Sequence, residues 1–379
     1  VSDSLLRKLF DFKSIVVIIA LVFVGATVIA LQYGSNAPVF GSEMSSTRSG
    51  GVPSSAQKAE FAALITGEGD LRSIPASFFR EHYDEFGPHT MLAVLDDNQF
   101  CHSEAHNVGR VIYEREQGLA VATNICQNQC SSGCIHGALM GFFTEKTGDE
   151  KFVDSEHHAT FDDLTPAFRA EIASMCSSTE LSAHLILGDC YHALGHALMV
   201  LANYDIPAAI ELCAIFNEYG VGARYYCATG AYMERDIEYG ESDRAVSALY
   251  PCDESPYPAA CFRYKLRRAI DISKGYSDAV QFCTSMPKAL RAGCSHGLGY
   301  ALWRQITDSP ASVNAICGWG TSDEQRLCLE GVFGYTNMYD GSVARKACAA
   351  YDPEKSAICK SAARVFNFRM SNDFSVYAP

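Results

Sequence analysis

Residues 190–199 read Cys190-Tyr191-His192-Ala193-Leu194-Gly195-His196-Ala197-Leu198-Met199, and the fold turns on whether this decamer stands alone. Five other segments align with it from their cysteines. They are CIHGALMGFF from Cys134, CATGAYMERD from Cys227, CFRYKLRRAI from Cys261, CSHGLGYALW from Cys294 and CLEGVFGYTN from Cys328. With Cys359 added, the steps after Cys190 are 37, 34, 33, 34 and 31 residues. A period near 34 residues is that of two-helix repeats, each burying its apolar face only against its neighbours. The sequence therefore predicts an all-α fold in which helix A opens near each of these cysteines.

The third residue after the cysteine is Gly137, Gly230, Gly297 or Gly331 in four of these six segments. Glycine inside a helix costs roughly 1 kcal/mol relative to alanine, so its return calls for a close approach of neighbouring helices. A second cysteine set, Cys176, Cys213, Cys252, Cys283, Cys317 and Cys348, marks the end of each helix B. Pairing each with the start of the next helix A predicts the bonds 176–190, 213–227, 252–261, 283–294, 317–328 and 348–359. Cys126 with Cys134 extends the rule, and Cys101 with Cys130 follows by elimination. All 16 cysteines lie beyond residue 100, and an even, evenly spread set in an exported domain reads as a disulfide framework.

The period, the small residues and the cysteines of residues 101–370 resemble the tetratricopeptide and Sel1-like repeat class, particularly its cysteine-rich members. The tetratricopeptide Trp-Leu-Gly-Tyr-Ala-Phe-Ala-Pro series is absent. The resemblance implies a right-handed α-solenoid whose A helices line a concave binding surface, and it implies no active site.

The N-terminal part has a different character. Arg7, Lys8 and Lys13 precede an apolar run from Ile15 to Leu31, a length within the range that spans a bilayer. Residues 1–33 are expected to be a basic cytoplasmic end and signal anchor, preferred over a cleaved signal peptide for want of an A-x-A site. Residues 34–56, rich in Gly, Ser and Pro, read as a flexible linker. Residues 57–100 form a helical cap, and residues 101–379 are the Cys-rich repeat domain, placed outside the cytoplasm. The net charge of −14 excludes nucleic acid as a partner, since phosphates need a basic face.

The positions two and six after the first-set cysteine share one side of helix A. Read along the array they are His136/Met140, His192/His196, Thr229/Met233, Arg263/Arg267, His296/Tyr300 and Glu330/Gly334. The opening segment CHSEAHNVGR carries the same four-residue spacing in His102 and His106. Imidazoles four apart can bind one ion, and a histidine from an adjacent helix completes three ligands. His102, His106, His136, His192, His196 and His296 are thus the candidate ligands, for zinc, copper or iron. The competing account makes them buried, hydrogen-bonded histidines that tie repeats together. Thiolate ligation through Cys130 and Cys134 competes with the disulfides.

Arg263 and Arg267 form a candidate anion-binding pair, with Tyr300 and Glu330 further along the same face; a solvated basic face is the alternative. Glu104 and Glu234 are the candidate general bases. The stretch 144–175, with His157, His158, Asp162 and Asp163, is an insertion that reads as a lid or a mobile acidic loop. No H-E-x-x-H, G-x-S-x-G or phosphate-binding loop is present. Two functions remain: a membrane-anchored metalloenzyme acting on an anionic or peptide substrate, or a non-catalytic stapled scaffold that binds a peptide or envelope partner. In either case a peptide, protein or small anionic ligand is the expected occupant of the concave groove.

Overall fold

The computed structural model describes residues 52–67, 74–97, 101–147, 159–269, 276–339 and 341–364. Among these residues the regular structure is helical. The first helices are α1 (Ser55–Gly67), α2 (Ala76–Asp96), α3 (His102–Glu116), α4 (Leu119–Cys126) and α5 (Gly133–Thr147). Then come α6 (Pro166–Ser174), α7 (Thr179–Ser182), α8 (Leu187–Leu201), α9 (Ile206–Leu212), α10 (Val221–Val246) and α11 (Pro258–Ala269). The last are α12 (Tyr276–Ser285), α13 (Lys288–Ala301), α14 (Trp303–Asp308), α15 (Val313–Cys317), α16 (Ser322–Tyr339), α17 (Gly341–Ala349) and α18 (Pro353–Ala362). The expected span at 15–31 lies outside the described residues, and no described helix is long and apolar enough to cross a membrane.

Local chemistry sets many of the helix starts. Ser54 and Gln57 form a capping box before α1: the Gln57 N–H donates to Ser54 Oγ and the Ser54 N–H donates back to Gln57 Oε1. Thr165, Asp205 and Asp352 cap α6, α9 and α18 from their side chains, each with proline in the first turn. Gly87, at φ 72°, and Pro88 break α2 into two segments.

The A helices are α3, α5, α8, α10, α11, α13, α16 and α18, and each packs on the next in that order. Most begin upstream of their cysteine, at Leu187 for Cys190 and Val221 for Cys227, so the cysteine sits inside the helix. One repeat departs from the two-helix pattern. Helix α10 runs for 26 residues and Cys252 lies in a turn, with no B helix before it. In the expected insertion, residues 148–158, including His157 and His158, lie outside the described residues. Its described end supplies α6, whose buried Phe168 packs on Phe143 of α5 at 5.8 Å between ring centroids.

All eight predicted disulfides are present, and no cysteine is free. Closing a short loop of this kind contributes roughly 3 kcal/mol on the chain-entropy model. With every thiol bonded, thiolate ligation of a metal is ruled out in this oxidised state.

The recurrent glycine marks where helix backbones touch. A methyl group on Gly230 of α10 would collide with the carbonyl oxygen of His192 on α8, and one on Gly195 would collide with that of Cys227. Gly137 and Gly109 make the same exchange between α5 and α3, through the carbonyls of His106 and Cys134. Three glycine-locked pairs result: α3 with α5, α8 with α10 and, through Gly299 and Gly331, α13 with α16. Helix α5 packs against α8, which brings the first two pairs together.

Candidate metal centre

Five imidazoles meet where these two pairs join. His102 and His106 come from α3, His136 from α5, and His192 and His196 from α8. Neighbouring ring centroids lie close: His106–His196 4.7 Å, His102–His136 4.9 Å, His136–His196 5.0 Å and His136–His192 5.3 Å. Donor atoms of His102, His136, His192 and His196 all lie within 4.8 Å of one another, and so do those of His106, His196 and Glu234. All of these residues but His102 are buried.

The outer nitrogens of three rings are committed to hydrogen bonds. His102 Nδ1 donates to the Cys130 carbonyl at 3.1 Å. His196 Nδ1 donates to Glu234 Oε2 at 2.8 Å. Thr229 Oγ1 spends its own hydrogen on the Tyr226 carbonyl, so at 2.8 Å it accepts from His192 Nδ1. In the neutral ring each Nε2 then carries a lone pair. Yet His192 Nε2 and His196 Nε2 face each other at 3.1 Å. Two lone pairs at that distance repel unless a metal ion or a proton lies between them, and burial works against protonating either ring. Tetrahedral bonds of 2.0–2.1 Å to one ion would place two nitrogens about 3.3 Å apart.

Other donors in the cluster lack partners. His102 Nε2, His106 Nε2 and both ring nitrogens of His136 are buried without a hydrogen bond. Asp189 Oδ1 stands 3.6 Å from His136 Nε2, beyond hydrogen-bond distance. Unpaired buried polar groups are costly, and an ion at the centre would satisfy several of them at once. Outer-nitrogen bonds to carbonyl, hydroxyl and carboxylate are what orient metal-binding histidines.

Glu234, from α10, holds the outer side of the cluster. Its Oε2 also lies 3.4 Å from His106 Nδ1. Its Oε1 lies 3.5 Å from Arg110 Nη2 and accepts from the Tyr204 hydroxyl at 3.3 Å. Burial alone would raise its pKa, but the hydrogen bonds from His106 and His196 prevail and hold it well below the usual carboxylate range. A carboxylate so engaged positions imidazoles and is a poor proton acceptor. Glu104 is buried on α3 and is not among the converging groups.

His296 sits apart from the five. It is buried on α13, and burial first, then the charge of Arg263, pushes its pKa down to about 3. Arg263, only 1% exposed, lies over the rings of Tyr300 and Tyr264, at 4.8 and 5.5 Å from their centroids. This placement makes Arg263 a core cation packed on aromatic faces, not a side chain lining an open groove. Glu330 is also buried and accepts from Arg326 Nη1 at 2.6 Å. The side chain of Arg267 lies outside the described residues. Asp189, Thr229, Arg110 and Tyr204 are the cluster residues that sequence reasoning missed. Thr229 stands at the histidine position of its repeat, and Arg110 is one helical turn beyond His106, so register pointed to both.

The fold and the cluster define a disulfide-rich helical protein with a buried His/Glu group able to hold a metal ion. Set against protein-family models, curated proteins and solved structures, the chain finds no match.

Two outcomes follow from this geometry. Thr229→Val keeps the side-chain shape but removes the acceptor for His192 Nδ1, and is expected to weaken metal affinity 10–100-fold, measured by competition with a chromogenic chelator. Metal-free protein is expected to lose stability on acidification. Unfolded imidazoles protonate near pH 6.5, whereas burial holds folded His102 down to about 4 and His296 to about 3. Between these values the unfolded state binds more protons, so stability is present near neutrality and falls as pH drops from about 6.5 toward 4. Denaturant midpoints that stay level across this window would contradict the buried, neutral histidines.

Proposed function

We propose that this protein is a metal-clamped helical-repeat scaffold, in which one first-row divalent ion joins the first pair of repeats to the second. The observation that carries this reading is the 3.1 Å approach of His192 Nε2 to His196 Nε2, with both Nδ1 atoms already donating elsewhere. His102 and His136 complete a set of four imidazoles. Four protein ligands in a buried site make a closed coordination shell, the pattern of structural sites; catalytic sites keep one position open for water or substrate. The metalloenzyme reading would require that open position, so the geometry favours the clamp. Imidazole donors suit zinc, copper and iron alike.

Serial packing of the A helices supports a solenoid built from the repeats, with a surface for a peptide, protein or anionic partner. Eight disulfides support an oxidising compartment, in line with export behind an N-terminal membrane anchor.

Elemental analysis of the purified protein tests the centre. After expression with zinc, copper and iron available, about one ion per chain is expected, and about none in His192→Ala/His196→Ala. Wild-type protein carrying less than about 0.3 ion per chain would refute the reading.

A further inference from the structure

A second site lies away from the histidines. Helix α9, the 3-10 turn after it, the first half of α10 and the loop 250–257 line a half-open cavity of about 490 Å³. That size is in the range that takes a small organic ligand. Ile210, Ala214, Tyr232, Tyr250 and Tyr257 supply an apolar, largely aromatic wall. Two disulfides brace its walls. Cys213–Cys227 ties the 3-10 turn to α10, and Cys252–Cys261 ties the loop to α11. Within the wall, the Tyr232 hydroxyl donates to Ser255 Oγ at 2.5 Å, and the Tyr257 N–H donates to the same oxygen at 2.8 Å.

One cation faces this apolar space. Arg224 lines the cavity, and its Nε is buried without a hydrogen-bond partner. Its charge reaches the Tyr257 phenol, where it opposes the rise in pKa that burial causes. A guanidinium presents parallel N–H donors that match a carboxylate, and an apolar surround strengthens that bond. Glu211 and Glu254 are exposed cavity residues, whose negative charges work against a doubly charged anion.

We propose that this cavity binds a small monocarboxylate with an apolar, preferably aromatic, body, its carboxylate held by Arg224 and its ring among Tyr232, Tyr250 and Tyr257. None of the residues lining it belongs to the metal centre.

Calorimetric titration of the full chain with phenylacetate tests it, with 2-phenylethanol and phenyl phosphate as the neutral and doubly charged comparisons. Saturable binding of phenylacetate is expected, at least tenfold tighter than either comparison. Arg224→Met, which keeps the aliphatic stem, is expected to weaken phenylacetate at least tenfold. Circular dichroism establishes that the variant is folded. Should it not fold, Arg224→Lys keeps the charge without the paired donors and is expected to weaken binding several-fold. No saturation by about 10 mM phenylacetate would overturn the proposal. So would equal affinity for 2-phenylethanol, or unchanged affinity in the folded Arg224 variant.

Discussion

Gly230→Ala is expected to destabilise the protein by about 3 kcal/mol, through forced overpacking. Thermal unfolding reads this as a fall in Tm of roughly 6–12 °C. The sign is the informative part. Helix propensity by itself predicts that alanine at a mid-helix position stabilises by about 1 kcal/mol. The added methyl, however, meets the carbonyl oxygen of His192 across the α8–α10 contact, and backbone cannot swing aside as a side chain does. Helix α8 would have to move, and it carries His192 and His196. Weaker metal binding should therefore accompany the lost stability. Gly118 is the control, because a methyl there meets nothing closer than 3.9 Å. Gly118→Ala is expected to stay within about 0.5 kcal/mol of wild type. A Gly230→Ala protein as stable as wild type would mean that the two helices are not in backbone contact.

Removing the metal is expected to give the second large effect. An ion bound to the folded state alone adds RT ln(1 + [L]/Kd), about 4 kcal/mol when free metal exceeds Kd a thousandfold. Chelation should therefore lower the Tm of wild-type protein by several degrees and leave His192→Ala/His196→Ala unmoved. Small zinc domains unfold when their metal leaves. Here the helical signal in circular dichroism should persist at 25 °C, because the disulfides and an extended apolar core remain. A wild-type protein shown to have lost its metal, with Tm unchanged, would argue against the clamp. Reduction of the disulfides in the same assay separates the two kinds of cross-link.

Much of the fold was legible in the sequence because its signals are local or periodic. Cysteines 8 to 14 residues apart, as in Cys126–Cys134 and Cys176–Cys190, can hardly bridge except across the turn between consecutive helices. The glycine three residues beyond the cysteine announced a helix contact without naming the atom it meets. Histidine register placed His102, His106, His136, His192 and His196 on one side of successive A helices. The break in the pattern at Cys252 was not legible. Helix α10 simply continues where other repeats turn, through a polar sequence that period and cysteine spacing do not describe.

The sequence by itself determined the helical class, the disulfide pairing and the histidines of the cluster. Each rests on spacing along the chain, and spacing is what a regular helix converts into position. Tertiary structure decided the rest. It drew Glu234 and Thr229 of α10 and Cys130 of the α4–α5 turn onto the outer nitrogens of three histidines, setting which nitrogen of each faces inward. It left His296 beside Arg263, although its register matches His136 and His192. Register along a stack fixes the face a residue occupies. Which residues on that face share one centre depends on which helices pack together: α5 packs on both α3 and α8 and so gathers five imidazoles, whereas α13, with His296, packs on α11 and α16.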